Sequence, residues 1–201
     1  MTEVHPRASR PTPVRGAAAA LVALIVVTAA SAACSSTTSS SAPATTARPR
    51  ATTSVFEGHL VSSQARMVCS NDARVEMVQA LGLKTTAPPE PGWNDRAYTC
   101  TYTYAGGVHF VLSVYDLATT AAARTDLDQL GHTLGRTDQA VSFGTAPAFM
   151  TPTGNVVVQK DEHVLVVDVS GVPATWLSPP QSRADVAQIV AGVIMGCWTG
   201  G

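Results

Sequence analysis

The sequence predicts an α+β domain in which an antiparallel sheet of about five strands has helices packed on one face, in the order α-β-β-α-β-β-β-α. Polar and apolar or aromatic residues alternate over 98–104, and a glycine turn then leads into an apolar run at 108–114, a pattern typical of a β-hairpin. A short strand is predicted at 146–150. Two valine-rich runs, 156–160 and 164–169, flank a polar turn and indicate a second hairpin.

Helices are predicted where apolar residues recur every three or four positions, over 63–81, over 120–134 and from about Ser182 onward. Gly82 follows the first helix, where a residue in the left-handed conformation commonly ends a helix. Ser182 and Asp185 approximate a capping box at the start of the last helix, with aspartate in place of the usual glutamate. An apolar stripe along that helix is expected to face the sheet.

Residues 1–33 have the pattern of an export signal. Three arginines in the first fifteen residues precede an uncharged run over 17–33, and a positive segment before an apolar core is typical of a secretory signal peptide. At ~1.5 Å per residue this run reaches ~25 Å, which is short of the ~30 Å hydrocarbon core of a bilayer. Small residues then lead directly to Cys34.

The stretch Ser31-Ala32-Ala33-Cys34 resembles the lipobox of bacterial lipoproteins, in which the cysteine is acylated and becomes the new amino terminus. Serine stands here at Ser31, where that pattern usually has leucine. We expect a lipid anchor on Cys34 and a location on the extracytoplasmic face of the cell membrane. Two alternatives remain open: cleavage after Ala30-Ser31-Ala32 would release a secreted protein, and an uncut segment would be a signal anchor.

Residues 34–54 are predicted to form a disordered tether, and residues 55–201 a single folded extracytoplasmic domain. The tether consists of serine, threonine, alanine, proline and arginine around its cysteine, so it cannot bury enough apolar surface to fold. A flexible chain of about twenty residues averages ~25 Å end to end. The remainder is long enough for one hydrophobic core.

The charge content excludes several classes of function. Only 13% of the residues are charged and the formal net charge is −1, whereas nucleic-acid binding calls for a clustered basic surface. We therefore expect no nucleic-acid partner. The histidines are isolated along the chain, and the cysteines lack histidine partners at ligand spacing, so no metal or other cofactor is predicted.

With Cys34 assigned to lipid, Cys69, Cys100 and Cys197 remain in an oxidising compartment and permit one bridge. The first helix is expected to pack over the strand face that carries Cys100, which favours Cys69–Cys100, worth about 3–4 kcal/mol on the chain-entropy model. Cys69–Cys197 is the alternative, worth about 5 kcal/mol on the same model. With the first pairing, Cys197 would stay as a small buried apolar residue.

The folded part resembles a group of uncharacterised actinobacterial exported lipoproteins from about Met67 to Gly200. The resemblance rests on Cys69 and its helix to Gly82, on Trp93, on Tyr98-Thr99-Cys100, on Val156-Val157-Val158 with Lys160-Asp161, on Val167-Asp168-Val169 and on Gly196-Cys197-Trp198-Thr199-Gly200. The helix and strand cysteines are also similar, more weakly, to those of DUF3558-type lipoproteins. The resemblance implies location and fold, and it assigns no catalytic residue.

Residues suited to catalysis are not grouped in the sequence. It contains no Gly-x-Ser-x-Gly motif, and His163 lies in a predicted turn, where we expect it at the surface. We therefore predict no enzymatic activity and expect a cell-envelope domain that binds a ligand or partner, such as a cell-wall polymer or envelope protein. The alternatives are a structural or interaction lipoprotein without a small-molecule pocket, and an envelope hydrolase.

Trp176 and Asp168 are the candidates for a binding surface. Trp176 lies in a proline-rich loop, where an exposed aromatic ring could contact a ligand or could close the edge of the core. Asp168 interrupts a valine-rich strand. Alternation allows it to face solvent, whereas a buried carboxylate would need a partner such as Arg183.

Overall fold

The computed structural model describes residues 52–199. The predicted signal segment, Cys34 and the tether as far as residue 51 lie outside the described residues. The helices are α1 (Ser63–Met67), α2 (Asn71–Leu81), α3 (Thr120–Leu134) and α4 (Arg183–Thr199).

The strands form one large antiparallel sheet and two small ladders. They are β1 (Thr53–Phe56), β2 (His59–Ser62), β3 (Glu90–Asn94), β4 (Ala97–Thr103), β5 (His109–Asp116), β6 (Ala148–Met150), β7 (Val156–Lys160), β8 (His163–Asp168), β9 (Thr175–Trp176) and β10 (Gln181–Ser182). The large sheet has the order β3-β4-β5-β8-β7-β6, while β1 pairs with β2 and β9 with β10. The α+β class and the antiparallel sheet are confirmed.

The sheet has six strands rather than about five, because β3 forms in a proline-containing segment where no strand was predicted. Pro91 lies opposite Cys100 on β4. Proline lacks a backbone donor and is therefore tolerated on an outer strand. β3 is an outer strand of this sheet, so only one of its edges has to supply hydrogen bonds.

Helices α2 and α4 pack on one face of the sheet, called here the core face. Its main cluster joins Met77 of α2 and Ile194 of α4 to Tyr102, Phe110 and Leu112 of β4 and β5, all fully buried. The apolar stripe predicted for α4 is thus confirmed as the surface that covers the sheet.

Helix α3 packs on the opposite face, called here the α3 face, so that the helices are not confined to one side as predicted. Ala123 and Leu127 form a second cluster with Val157, Val164 and Val166. The cause lies in the strands: β7 and β8 are apolar on both faces, and burying both faces of such strands requires cover on each side.

The helix ends follow local chemistry. The Ser70 side chain accepts a hydrogen bond from the Ala73 N–H at the start of α2, and Gly82 ends that helix in the left-handed conformation with φ of 68°. Ser182 and Asp185 bond reciprocally at the start of α4, at 3.2 Å in each backbone-to-side-chain direction. The predicted capping box is therefore present.

The β1–β2 hairpin, which the predicted element order does not contain, is held to the sheet by ring contacts. Phe56 meets Tyr98 edge-on at 5.1 Å between ring centroids. His59 stacks on Trp93 at 3.9 Å. The hairpin therefore forms part of the folded domain.

Helix α4 closes the fold near α1. The indole N–H of Trp198 donates a hydrogen bond of 3.0 Å to the carbonyl of Gln64. A membrane-crossing helix would need greater length and an apolar surface throughout, and no helix within residues 52–199 meets that condition.

Candidate functional site

The predicted disulfide between Cys69 and Cys100 is present, with the two Cα atoms 5.5 Å apart. It ties the link between α1 and α2 to the middle of β4. The alternative pairing of Cys69 with Cys197 is excluded, because the Cys69 sulfur is already used. Cys197 is buried on α4. The expectation that it stays as a plain thiol is wrong, because no cysteine in the described part of the chain is free.

Trp176 closes the edge of the core. Its ring meets that of Tyr104 nearly edge-on at 5.0 Å between centroids, and it packs against the main cluster on the core face. The ring is partly buried, so the surface that it can offer to a partner is small.

Asp168 lies on the α3 face, because its neighbour Val167 belongs to the core face and strand residues alternate. Its carboxylate accepts a hydrogen bond of 2.8 Å from the Ser170 N–H. Arg183 donates instead to the carbonyl of Val172. Since Trp176 is on the other side of the sheet, the structure does not bring the two candidate residues into one surface.

A partly buried polar cluster joins Ser62, Asp116 and His163, which the sequence did not group. Ser62 ends β2 and caps α1, while Asp116 and His163 are paired residues at the ends of β5 and β8. The Ser62 hydroxyl lies 2.7 Å from Asp116 Oδ1 and 3.2 Å from His163 Nε2. His163 Nε2 lies 3.1 Å from the same carboxylate oxygen. His163 is only 6% exposed, so its expected surface position is wrong.

The hydrogen bonds indicate the positions of the Ser62 hydroxyl proton and of the His163 ring proton. The Ser62 hydroxyl donates to Asp116 and accepts from the Ala65 N–H, and His163 Nε2 lies within reach of both oxygens. Nε2 must therefore carry a proton. A serine nucleophile needs the opposite arrangement, in which an unprotonated nitrogen accepts the hydroxyl proton and a carboxylate holds the other ring nitrogen. We call this hydrogen-bonded group of Ser62, Asp116 and His163 the clamp.

Asp116 stays ionised in this cluster. Burial acts to raise its pKa, but hydrogen bonds from His163, from the Ser62 N–H and from the Ser62 hydroxyl outweigh burial and hold the pKa below its ordinary value. An ionised acceptor strengthens each of these hydrogen bonds. The cluster therefore fastens β2 and α1 to the centre of the sheet.

Metal binding has no support in the described residues. Among residues 52–199, no group of three or more histidine, cysteine, aspartate or glutamate side chains is placed to hold a metal ion.

A cavity of about 820 Å³ opens near the outer strand β6, and we call it the edge cavity. Its size is in the range of small-molecule sites, about 300–1,000 Å³. The start of α3, the loop before β6 and the end of β7 form its walls. The lining residues are Thr120, Ala121, Arg124, Phe143, Gly144, Thr145, Ala146, Pro147, Gln159, Lys160, Asp161 and Met195.

Gln159 is the polar residue that distinguishes the edge cavity. It is 4% exposed, and its amide nitrogen donates to the carbonyls of Thr120 at 3.0 Å and Asp161 at 3.2 Å. These two acceptors fix the orientation of the amide, because the oxygen could not occupy the same place. The remaining atom, Oε1, is buried without a hydrogen-bond partner among the described residues.

A second cavity of about 650 Å³ lies beside the disulfide, between the first hairpin, α1 and β3. Arg66 lines it and donates to the Ser54 hydroxyl. In the described part of the chain, the buried side-chain atoms without a partner belong to Tyr104, Asp126 and Gln159, and none of these residues lines this cavity. The edge cavity is therefore the better candidate for a binding site.

Comparison of the chain with protein-family models, with curated proteins and with solved structures found no match. Any functional assignment therefore rests on the structure.

Sequence reasoning missed both polar features. Gln159 follows three valines in what reads as a plain strand, and only its burial under α3 makes the amide unusual. The signal for the clamp was a polar residue next to each of two predicted strands: Asp116 follows the strand at 108–114, and His163 precedes the strand at 164–169. Pairing those two ends requires the β5–β8 register, which the sequence does not show.

Proposed function

We propose that the protein is a membrane-anchored cell-envelope lipoprotein whose folded domain binds a small molecule in the edge cavity without transforming it. The observation that carries this proposal is the edge cavity itself, which has a volume of about 820 Å³ and is lined by both charged and apolar side chains. A cavity of this size can hold a small organic molecule.

The alternatives are supported less well. A structural or interaction lipoprotein needs no cavity of this size. An envelope hydrolase would need a base next to a nucleophile, and the clamp of Ser62, Asp116 and His163 holds its protons in the wrong places for that role. These three residues also line neither of the two cavities described above.

Ligand binding can be tested by NMR with a library of small fragments, using the side-chain amide signal of Gln159 as the reporter. Fragments that bind should shift this signal in the wild type. Ala121→Trp should abolish the shifts, because Ala121 is exposed and lines the cavity, so a large ring there fills the space.

Thr125→Trp is the matched control, since Thr125 is exposed on the same helix and does not line the cavity. It should leave the fragment shifts unchanged. A library in which no fragment moves the Gln159 signal would contradict the ligand-binding proposal.

The membrane anchor is supported by the uncharged run before Cys34 and by the small residues that precede this cysteine. The test is the intact mass of the protein extracted from membranes. Cleavage before Cys34 with a diacyl or triacyl addition is expected, and Cys34→Ser should remove the addition. Release without lipid would contradict the anchor.

A further inference from the structure

We propose that the β1–β2 hairpin contacts the lipid surface to which the chain is anchored, with Val55 and Leu60 inserted into the outermost layer of the bilayer. This inference rests on the membrane anchor of the proposed function and adds a second, non-covalent contact to it. The exposure of these two side chains, the position of the hairpin in the chain and the distribution of charge support it.

Val55 and Leu60, called here the apolar pair, leave an apolar surface uncovered. With exposures of 66% and 71%, they are the most exposed large apolar side chains in the part of the chain that the structure describes. They are cross-strand partners in the hairpin, so their side chains lie next to each other on one face. Each is still about two thirds exposed, so the folded domain does not cover this pair.

The opposite face of the hairpin is already occupied. Phe56 and His59 form the next cross-strand pair, and successive strand residues point to opposite faces. Phe56 contacts Tyr98 edge-on, and His59 stacks on Trp93. These ring contacts fix the hairpin to the sheet through one face and hold the apolar pair on the outward face.

The position of the hairpin in the chain favours lipid as the occupant of the outward face. β1 begins at Thr53, and the predicted tether joins it to Cys34 through about twenty residues, which average ~25 Å end to end. The hairpin is therefore the described element nearest to the anchor along the chain. A tether of this length keeps it at a high local concentration beside the bilayer, so that a weak contact is enough.

The charge distribution favours the same orientation. Residues 52–201 contain eight lysines and arginines against thirteen aspartates and glutamates, so an anionic lipid surface repels the domain as a whole. The hairpin end differs, because Arg48 and Arg50 precede it and Glu57 is the one carboxylate of residues 48–62. Basic residues beside a membrane are attracted to anionic lipids. The amino-terminal end is thus drawn toward the lipid, while the acidic remainder is turned away.

A second copy of the chain or a protein partner fits the apolar pair less well. A stable protein interface uses roughly 20–30 residues a side, whereas this apolar surface consists of two side chains. A lipid surface needs no complementary shape, and its attraction for apolar side chains grows with the area that they bury.

The test uses acylated protein in nanodiscs of phosphatidylglycerol and phosphatidylethanolamine that include a lipid with gadolinium chelated at its headgroup. Gadolinium broadens the NMR signals of nearby methyl groups. The Leu60 methyl signals should lose most of their intensity, whereas those of Leu134, 40% exposed on the helix that covers the other face of the sheet, should keep it. Equal losses at the two leucines would overturn the inference, and this comparison needs no variant.

Val55→Ser combined with Leu60→Ser should lower the equilibrium constant for lipid contact by at least about tenfold, because apolar area supplies the contact. The reporter is the methyl group of Thr53, which lies on the same face of β1 as Val55 and should regain its intensity in this variant. Val75→Ser combined with Leu83→Ser is the matched control, since these side chains are 42% and 38% exposed outside the hairpin. The control should leave the Thr53 loss unchanged. A Thr53 loss that persists in the hairpin variant would contradict the contact.

Intact mass, measured first, separates this inference from the proposed function. Acylated protein whose Leu60 signals keep their intensity retains the anchor and overturns the hairpin contact. Leu60 shifts that depend on protein concentration and not on lipid would assign the outward face to a second copy, which also overturns it. Protein without an acyl group loses the anchor and this inference together, while ligand binding in the edge cavity is tested independently through Gln159.

Discussion

Ser62 shows how much of this fold depends on single polar side chains. Its hydroxyl caps α1 through Ala65 and donates to Asp116, and its own N–H donates to the other oxygen of that carboxylate at 2.9 Å. Few charged side chains are available for such hydrogen bonds, since only 13% of the residues are charged. The clamp and Gln159 are two of the places where buried polar groups define local structure.

Ser62→Ala should lower the free energy of unfolding by about 1–3 kcal/mol, because it removes the helix cap and leaves the Asp116 carboxylate with fewer donors. The measurement is urea denaturation followed by circular dichroism. Ser63→Ala is the control, since the Ser63 hydroxyl bonds only to its neighbour Gln64 in the described structure. A loss as small as the control's would contradict the clamp.

Asp116 should make stability depend on acidity. Its folded pKa lies below the ordinary value, so its contribution is fully present above the unfolded pKa of about 3.9 and is lost as pH falls through the folded value. Asp116→Asn should therefore be less stable at neutral pH and lose less stability than the wild type below about pH 4. Urea midpoints from pH 7 to pH 2 would show this.

Asp72→Asn, which removes an exposed carboxylate of α2, controls for the general effect of charge. Parallel pH profiles for the wild type and Asp116→Asn would refute the assignment.

At the scale of elements, the sequence predicted what depends on local periodicity and missed what depends on pairing. The helices α3 and α4 follow from apolar spacing, the end of α2 follows from Gly82, and the β4–β5 hairpin follows from strict alternation. The single helix predicted over 63–81 is instead two helices, α1 and α2, separated at residues 68–70. β3 was missed because Pro91 is unfavourable in a strand, and the strand forms only through its pairing with β4. The side on which α3 packs could not be predicted either, since an amphipathic helix does not specify which face of a sheet it covers.

Helix α3 supplies the second core, and Leu127 is its central residue at 1% exposure. Leu127→Ala should cost about 2–5 kcal/mol of unfolding free energy, because it leaves a cavity against β7 and β8. Leu134→Ala, at a 40% exposed position of the same helix, should change stability by less than about 0.5 kcal/mol. Similar losses for the two variants in urea denaturation would mean that α3 does not bury the second cluster.

The disulfide joins the helical layer to the sheet across a sequence separation of 31 residues. Replacing both Cys69 and Cys100 by alanine should lower the free energy of unfolding by about 3–4 kcal/mol on the chain-entropy model. Thr101→Ala, on the other face of β4, is the control for a change in that strand. Chemical denaturation of the wild type, the double cysteine variant and Thr101→Ala would measure this difference. A loss of unfolding free energy below about 1 kcal/mol in the double variant would contradict a structural role for the disulfide.

At the scale of the molecule, the sheet consists of two three-stranded meanders, β3-β4-β5 and β8-β7-β6, that meet at the β5–β8 pair. Each meander forms from contacts that are local in sequence. The central pair instead joins residues as distant as Val111 and Asp168. The clamp lies across this junction, which explains why it could not be found from the sequence alone.

Hydrogen exchange should reveal this arrangement. Backbone amides of β5 and β8 are paired on both sides and should exchange only through global unfolding, whereas those of the outer strands β3 and β6 should exchange through local opening. Mass spectrometry after deuterium labelling would compare the peptides. Faster exchange in β5 or β8 than in the outer strands would show that the two meanders separate within the native state.

The first hairpin has a mechanical consequence. The chain enters it at Thr53, opposite Ser62 and far from the hairpin tip at Glu57 and Gly58. A force applied at the amino-terminal end of the hairpin therefore acts on its paired residues one pair after another, and not on all of them at once. After Ser62, the clamp and the Cys69–Cys100 disulfide transmit this force to the sheet. The hairpin would unfold first under tension, while the rest of the domain stays intact.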